Sequence, residues 1–265
     1  MADISALVDD LQTEHDELDK LLTPLSDQQW DLDTPADGWR IRDQVAHLAF
    51  FDGAMTQSIT DAPAFLATLA IRRDTPDYVN VVAAPLAALP AATLLDRWRA
   101  GCTAVTDAMR HADPATRVAW YGPPMSLASA CTARLMETWA HGQDIVDTLG
   151  IDRPATDRIQ HVLHIGYRAR AFAYRNRGLD VPTHDIRFEV TAPNGTIWTY
   201  GQSQTDVIRG PALDLALVLT QRRHPDDTDL TTQGHLADEF LALAQAYAGK
   251  PGTGRRPGQF PRARG

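Results

Sequence analysis

The sequence predicts an α+β protein, with an up-and-down helical bundle followed by a smaller domain of mixed helix and strand. Two observations carry this prediction. Apolar residues recur at three- and four-residue spacing through the first two thirds of the chain, and after Gly178 the pattern changes to short strand-like runs around an Asn-Gly turn. We therefore place the bundle at residues 1–178, the α+β domain at 179–249 and a disordered tail rich in Pro, Gly and Arg at 250–265.

Segments rich in helix breakers delimit the helices of the first domain. The helices are predicted at 3–22, 40–59, 90–111, 126–149 and 155–177. The separators include TPADGW, DTPDY, AAPLAALP, YGPP and LGIDRP. Helices joined in this way are typical of an up-and-down bundle.

The second domain is predicted to begin with a β-hairpin. Residues 183–190 and 196–201 flank the turn APNG, whose Asn-Gly step supplies the positive φ angles of a tight turn. A third short strand is predicted at 205–209. Two helices follow, PALDLALVLTQRR with Pro in its first turn and LADEFLALAQAYAG ending at Gly249.

Charge and composition narrow the classes of function. The net charge of -9 argues against binding to nucleic acid or to an anionic membrane, since both need a basic surface. The chain shows neither a basic start with an apolar run nor about 18 unbroken apolar residues, so we expect a cytoplasmic protein. We expect a monomer or a weak homodimer.

The cysteines and the basic residues carry further information. Cys102 and Cys131 are the only cysteines, and each falls inside an apolar helical pattern, so we expect small buried hydrophobic residues rather than nucleophiles. Lys20 and Lys250 are the only lysines among 25 basic residues. This excess of Arg, together with abundant Ala, indicates a source with a GC-rich genome.

The fourth predicted helix carries a pair of candidate metal ligands. Glu137 and His141 are four residues apart, and they share one arc of the helix with Asp144 and Thr148. Side chains at this spacing lie close enough to hold one ion, but the same spacing occurs on ordinary solvated faces. Both interpretations remain open for this helix alone.

A histidine in the second predicted helix bears on that choice. His47, in IRDQVAHLAFFDGAM, shares an arc with Phe51 and is expected to point inward. It is either a core histidine with a hydrogen-bond partner or a third ligand that faces the Glu137/His141 arc across the bundle. His161 and His164 form a rival HxxH pair, which could line the same cavity, without an acidic residue near them in their helix. The remaining histidines receive no role: His15, His111, His184, His224 and His235.

The segments GWRIRDQVAHLAFFD and ARLMETWAHGQDIVDTLG together resemble the DinB/YfiT-like metal-binding superfamily, and within it the mycothiol-dependent maleylpyruvate isomerase group. The end of the chain, closing with DLALVLTQRR, is similar to the small sterol-carrier-protein-like domain of that group. The resemblance implies that His47, Glu137 and His141 bind a divalent metal, usually zinc. It also implies that Arg222 reaches toward the active site, although Gln221 stands where the family pattern has glycine.

The chemistry implied by the resemblance uses an external thiol. The sequence offers no Gly-x-Ser-x-Gly elbow and no cysteine with a neighbouring His. Metal-stabilised mycothiol thiolate is therefore expected to add to a small electrophile, in an isomerisation or an S-transfer, with specialised metabolism among the settings. Arg222 would bind an anionic group of either reactant. Mycothiol belongs to actinobacteria, a source that fits the Arg-rich composition.

Two alternatives remain at this stage. The first is a metal-dependent hydrolase, in which Asp144 or Asp52 moves protons to and from an activated water. The second is a non-catalytic carrier with an apolar small molecule or lipid as its ligand. A donor set of two histidines and one carboxylate also accepts nickel, iron or manganese.

Overall fold

The computed structural model describes residues 3–260, apart from the side chains of residues 70, 73 and 74. The described residues form two compact units that divide between Arg153 and Pro154. The first unit is helical, and the second combines helices with a four-stranded sheet. This architecture confirms the predicted α+β class.

The first unit is built from helices and one short hairpin. The elements are α1 (Ile4–Leu22), α2 (Asp27–Trp30), α3 (Ile41–Thr60), α4 (Ala62–Asp74), α5 (Tyr78–Ala87), α6 (Ala91–His111), β1 (Arg117–Val118), β2 (Met125–Ser126) and α7 (Leu127–Leu149). The long helices α1, α3, α6 and α7 pack on one another as a bundle. They match the first four predicted helices to within one or two residues.

Local capping sets the ends of the two helices that matter most for the candidate site. The Asp43 carboxylate accepts hydrogen bonds from the backbone N–H and the Nε–H of Arg40, each at 2.9 Å, which fixes the start of α3. Ser126 caps α7 by accepting from the Ser129 backbone N–H at 3.1 Å. At the other end of α7, Gly150 adopts the left-handed conformation with φ 63°.

The helices α3 and α7 are held along their whole length by two apolar clusters. Leu48 of α3 and Ile145 of α7 enter one cluster, while Met55 of α3 and Leu135 of α7 enter the other. Each fully buried side chain of this size contributes about 1.5–3 kcal/mol. The polar side chains that lie between these anchors therefore project from a rigid backbone.

Three helices among the described residues of the first unit lie outside the predicted ones, the four-residue α2 and the longer α4 and α5. Residues 62–87 were assigned to a connection because they contain several prolines, yet they form α4 and α5. Pro63 lies in the first turn of α4, where its missing N–H costs nothing and where Asp61 caps the helix. Pro85 lies near the end of the ten-residue α5. Here proline favours a helix start or is tolerated near a helix end.

The second unit surrounds a mixed sheet. Its elements are α8 (Ile159–Arg168), α9 (Arg170–Arg175), β3 (Arg187–Thr191), β4 (Ile197–Tyr200), β5 (Val207–Pro211), α10 (Ala212–Leu219), β6 (Thr231–Gln233) and α11 (His235–Leu243). The strand order is β4-β3-β5-β6, with β3 and β5 parallel and the other pairs antiparallel. The predicted hairpin is confirmed as β3 and β4, and Gly195 in its turn has φ 86°.

The boundary between the units differs from the predicted position at 178–182. The fifth predicted helix, 155–177, belongs to the second unit because α8 packs against α10. Gly166 makes this contact close, since a Cβ at that position would collide with the side chain of Leu219. Helical periodicity shows that α8 has an apolar face, but it does not show which neighbour covers that face.

The later elements also depart from the sequence prediction. The helix predicted over 155–177 is divided into α8 and α9, and α11 ends at Leu243 instead of Gly249. Residues 250–260 are predicted to be disordered, but in the structure they belong to the second unit and contact other parts of it. The Gly258 backbone N–H donates to the Asp227 carboxylate at 2.8 Å, and the Arg223 guanidinium lies 4.9 Å from the centre of the Phe260 ring. The rest of the predicted tail, 261–265, lies outside the described residues.

Within residues 3–260, no single helix is both long enough and apolar enough to cross a membrane. Only the pair α5 and α6, bent by 119°, meets the length and composition test when the two helices are taken together.

Candidate metal centre

The structure brings His47, Glu137 and His141 together, with one ligand atom of each within 4.8 Å of the others. His47 comes from α3, and the other two residues lie one turn apart on α7. The distance from Glu137 Oε2 to His141 Nε2 is 3.1 Å, and to His47 Nε2 it is 3.4 Å. Each imidazole thus directs its own Nε2 at the same carboxylate oxygen, Glu137 Oε2.

A buried glutamine determines which nitrogen of His141 carries a proton. Gln44 is 0% exposed, and its amide nitrogen donates to Thr34 Oγ1 at 2.8 Å, which leaves Gln44 Oε1 directed at His141 Nδ1. An amide oxygen only accepts, so Nδ1 is the protonated nitrogen of His141. A neutral imidazole then has its lone pair on Nε2, facing Glu137.

This arrangement fits a divalent cation. A lone pair on His141 Nε2 and a carboxylate oxygen 3.1 Å away repel each other unless a positive charge lies between or beside them. His47 Nε2 meets the same oxygen, and His47 Nδ1 is buried with no hydrogen-bond partner among the described residues. Two imidazole nitrogens and one carboxylate form a donor set typical of zinc and related metals, and leave coordination positions open.

Aromatic rings enclose the two imidazoles. The Trp39 ring stacks on His141 with centroids 5.7 Å apart and an interplanar angle of 13°, and it lies 5.2 Å from the His47 ring. Phe51, one turn after His47 on α3, lies 4.6 Å from the same imidazole. These contacts hold both rings in place and exclude water from their faces, which strengthens electrostatic interactions within the cluster.

Burial and mutual contacts shift the pKa values in the direction that favours metal binding. Burial, followed by the neighbouring His141, lowers the pKa of His47 to about 4. For Glu137, burial opposes the charged form, but the contacts with His141 and His47 outweigh it and hold the pKa well below its usual value. At neutral pH, His47 is therefore neutral and Glu137 is ionised, as metal ligation requires.

The other predicted site residues occupy different environments. Asp144 is fully buried on α7, one turn beyond His141. Asp52 is committed to a buried ion pair, because Arg134 Nε donates to its Oδ1 at 2.8 Å. Because its carboxylate is held in this ion pair, Asp52 is less suited to moving protons than the sequence suggested. His161 and His164 lie on α8 of the second unit.

Arg222 follows α10 in the second unit, where the backbone explains the unusual residue before it. Gln221 adopts a left-handed conformation with φ 60°. Its N–H donates to Val218 O at 2.9 Å, and the Arg222 N–H donates to Leu217 O at 2.7 Å, which together form the Schellman ending of a helix. Glycine is the usual residue at this position, so Gln221 replaces the glycine of the family pattern without changing the turn.

A second cluster of potential ligands lies among α1, α3 and α6. His15, Asp52 and Cys102 are all buried and also have ligand atoms within 4.8 Å of one another. Burial raises the pKa of Cys102 above its usual value, and burial raises that of Cys131 to about 12, so both thiols stay protonated. The positive charge of Arg134 beside Asp52 opposes a cation in this cluster. The His47 cluster is therefore the better candidate.

Sequence reasoning missed the residues that surround the ligands. Gln44 precedes His47 by three positions and so lies on the same face of α3, a signal that was available. Trp39 lies in the irregular segment before α3, where periodicity gives no direction for a side chain. Its stacking on His141 depends on tertiary packing alone.

A helical bundle that brings two histidines and a glutamate together is the architecture expected of the DinB/YfiT-like class. A family model described as the mycothiol maleylpyruvate isomerase N-terminal domain matches residues 11–146. The chain belongs to this family.

Two relatives and two solved structures are similar to this chain over most of its length. Two proteins of Mycobacterium tuberculosis, from strains CDC 1551 / Oshkosh and H37Rv, are each 38% identical over 257 residues, which cover 96% of this chain and all of each relative. Both carry the name "uncharacterized protein". The structures of a mycothiol-dependent maleylpyruvate isomerase and of its histidine-to-alanine mutant match with a TM-score of 0.59 and 14% identity, over 87% of this chain and 92% of theirs. At that identity the likeness concerns the fold.

Proposed function

We propose that this protein is a divalent-metal-dependent enzyme that uses mycothiol as a cosubstrate and acts on a small electrophile. The convergence of His47 Nε2, His141 Nε2 and Glu137 Oε2 carries the proposal, because a cation would remove the repulsion between lone pairs that meet in a mostly buried site. Family membership supplies the thiol. The isomerase with the similar fold is described as mycothiol-dependent, and we extend that dependence to this chain.

In this proposal zinc is the metal, with His47, Glu137 and His141 as its ligands. The bound ion would supply a Lewis acid that stabilises a thiolate at neutral pH. Gln44 holds His141 in the tautomer that presents Nε2, and Trp39 keeps water from the imidazole face. Gln44 and Trp39 thus fix the orientation of the His141 ring in the absence of a ligand.

The proposed reaction forms a bond between the sulfur of mycothiol and an electrophilic carbon of a conjugated substrate. The thiol proton leaves sulfur, and a proton is taken up by the substrate at the far end of the conjugated system. If the C–S bond breaks again after rotation about the neighbouring C–C bond, the proton returns and the net reaction is an isomerisation. If the C–S bond persists, the net reaction is an S-transfer.

Two further residues have proposed roles. Asp144 is our candidate for moving the proton, because it is a fully buried carboxylate one turn from His141. Arg222 is our candidate for binding an anionic group of mycothiol or of the substrate, a task that suits its planar guanidinium. The Schellman ending of α10 fixes the Arg222 backbone, and Arg222 Nη1 donates to Thr220 O at 2.7 Å.

Metal analysis tests the first part of the proposal. We would measure metal content by mass spectrometry in the wild type, His47→Ala and Glu137→Gln, with His235→Ala as the control, since His235 is 86% exposed on its side chain. We expect close to one metal per chain in the wild type and the control, and a loss of at least tenfold in the two site variants. Equal metal content in all four proteins would contradict the assignment of the site.

Thiol dependence tests the second part. The zinc-loaded wild type is expected to consume conjugated electrophiles only in the presence of mycothiol, while Glu137→Gln loses this activity. Turnover that proceeds equally well without any thiol would instead support the hydrolase alternative. Zinc-loaded protein that neither binds mycothiol nor accelerates thiol addition would exclude the proposed cosubstrate.

A further inference from the structure

A group of aromatic rings extends from the candidate metal centre across the first unit. We call Phe50, Phe51, Tyr78, Trp120 and Tyr121 the aromatic surface. Phe51 joins it to the metal centre through its contact with His47, with ring centroids 4.6 Å apart. From Phe51 the rings continue to Phe50 at 5.1 Å and to Tyr121 at 5.7 Å. Three separate parts of the chain supply these residues: α3, the first residue of α5 and the connection between β1 and β2.

The rings are fixed relative to one another by edge-to-face contacts. Tyr121 lies 5.8 Å from Tyr78 and 4.9 Å from Trp120, and the two tyrosine hydroxyls are 3.4 Å apart. Beneath them, the fully buried Phe65 stacks on Trp120 at 5.7 Å with an interplanar angle of 7°. Rings held in this way are preorganised and lose little conformational entropy when a ligand binds.

The aromatic surface is not covered as a core would be. Phe51 is 7% exposed, but Phe50, Tyr78, Trp120 and Tyr121 all remain half-buried when the whole described chain is taken into account. Four neighbouring half-buried aromatic residues beside a candidate catalytic centre form an apolar patch of the kind that marks ligand sites. Their continuity with His47 indicates a ligand whose reactive part is at the metal centre.

A cation lies beside these rings, and it is bound to the protein backbone. Among the described residues, the cation recorded over the aromatic surface is Arg72, whose guanidinium lies 5.0 Å from the Tyr121 ring and donates to Tyr121 O at 2.7 Å. Burial raises the pKa of Tyr121, so its hydroxyl stays neutral. Flat π-systems bind well against such rings by offset stacking or edge contacts.

We propose that the aromatic surface binds the planar, conjugated body of the electrophile, and that the electrophilic carbon of this substrate lies toward His47, Glu137 and His141. This inference rests on the proposed function and specifies its substrate class: ring-bearing conjugated carbonyl compounds in preference to small aliphatic ones. Tyr121 and Phe50 determine this specificity, while the metal ligands determine reactivity.

A matched pair of probes tests the inference without relying on turnover. 4-Phenylbut-3-en-2-one and but-3-en-2-one contain the same enone and differ by one phenyl ring. Equilibrium binding to the zinc-loaded wild-type protein would be followed by ligand-observed NMR in the absence of thiol, so that no thiol-dependent turnover occurs. We expect the phenyl enone to bind at least about fivefold tighter, because one stacked aromatic contact contributes roughly that factor.

Variants then assign the preference to the aromatic surface. Tyr121→Leu and Phe50→Leu are each expected to weaken binding of the phenyl enone by about fivefold, and Tyr121→Phe to recover it relative to Tyr121→Leu. Tyr200→Leu, which removes a half-buried tyrosine of the second unit, is the control and should bind as the parent does. Circular dichroism and thermal unfolding check that each variant is folded.

The outcomes separate this inference from the proposed function. Equal binding of the two enones, or folded leucine variants that bind the phenyl enone as the parent does, would overturn the aromatic site even if thiol-dependent turnover is found. Selective binding that depends on Tyr121 and Phe50 supports the site even if mycothiol is not the cosubstrate. With active enzyme, Tyr121→Leu should raise KM for the phenyl enone more than it changes kcat.

Discussion

Truncation of Gln44 tests how strongly a single buried hydrogen bond controls the candidate metal centre. Gln44 Oε1 accepts from His141 Nδ1, and its amide nitrogen donates to Thr34 Oγ1 at 2.8 Å. Gln44→Ala removes both contacts. His141 is then free to rotate or to change tautomer, either of which takes its Nε2 lone pair away from the metal position.

The expected loss in metal affinity is 10- to 100-fold, or about 1.4–2.7 kcal/mol. The metal-free protein should also lose stability by about 1–3 kcal/mol, since the N–H of His141 and the hydroxyl of Thr34 lose a buried partner. Gln44→Glu keeps an acceptor for His141 and should recover most of the metal affinity.

Zinc affinity is measured by competition with a chromophoric chelator, and stability by urea unfolding in the presence of excess chelator. Gln143→Ala is a suitable control, because Gln143 lies on α7 two residues after His141 and its amide donates to Asp147 instead. If folded Gln44→Ala protein binds zinc within twofold of the wild type, the hydrogen bond does not orient His141, and the tautomer assignment on which the site rests is wrong.

Three further predictions follow from the environments described above. The folded-state pKa of His47 is about 4, below the usual 6.5, so the unfolded chain takes up a proton first as the pH falls. Metal-free protein should therefore lose roughly 3 kcal/mol of stability between pH 6.5 and 4, measured by urea unfolding. His47→Leu should reduce that loss. Arg134→Met should destabilise the protein by about 3–5 kcal/mol, because it leaves Asp52 buried without its ion-pair partner. Adding Asp52→Leu should recover much of the lost stability. A double variant as unstable as Arg134→Met would refute this account of the ion pair. Gln221→Ala should lower the free energy of unfolding by about 1–2 kcal/mol, because the amide hydrogen bond to Ala244 is lost. Gln221→Gly should be about 1 kcal/mol more stable than the alanine variant, because glycine adopts the left-handed conformation without strain. Equal thermal unfolding of the two variants would contradict a strained residue at this position.

The three members of the ligand cluster were named from the sequence through the family resemblance, whereas helix geometry alone left Glu137 and His141 open between a metal site and a solvated face. The spacing of Glu137 and His141 puts them on one face of α7, and the inward position of His47 follows from its apolar neighbours. The ends of α3 and α7 were also predictable, since capping residues such as Ser126 and Gly150 act locally.

The remaining features depend on packing between segments that are distant in the chain. No local signal shows that α8 packs on α10, so the boundary was predicted at 178–182 although the units divide after Arg153. The contact of Trp39 with His141 comes from an irregular segment, whose side-chain directions no period describes. The helices α4 and α5 were missed because proline is an ambiguous signal, which starts a helix as readily as it ends one.

The left-handed Gln221 bears on how distant relatives of this protein should be recognised. The position of Arg222 is defined by main-chain hydrogen bonds to Val218 and Leu217, and any residue able to adopt the same dihedral angles preserves it. A search pattern that requires glycine before the arginine would discard this chain, although the turn itself is intact. Relatives are therefore better aligned at this point by backbone conformation than by residue identity. In this chain the turn before Arg222 is complete with a residue other than glycine.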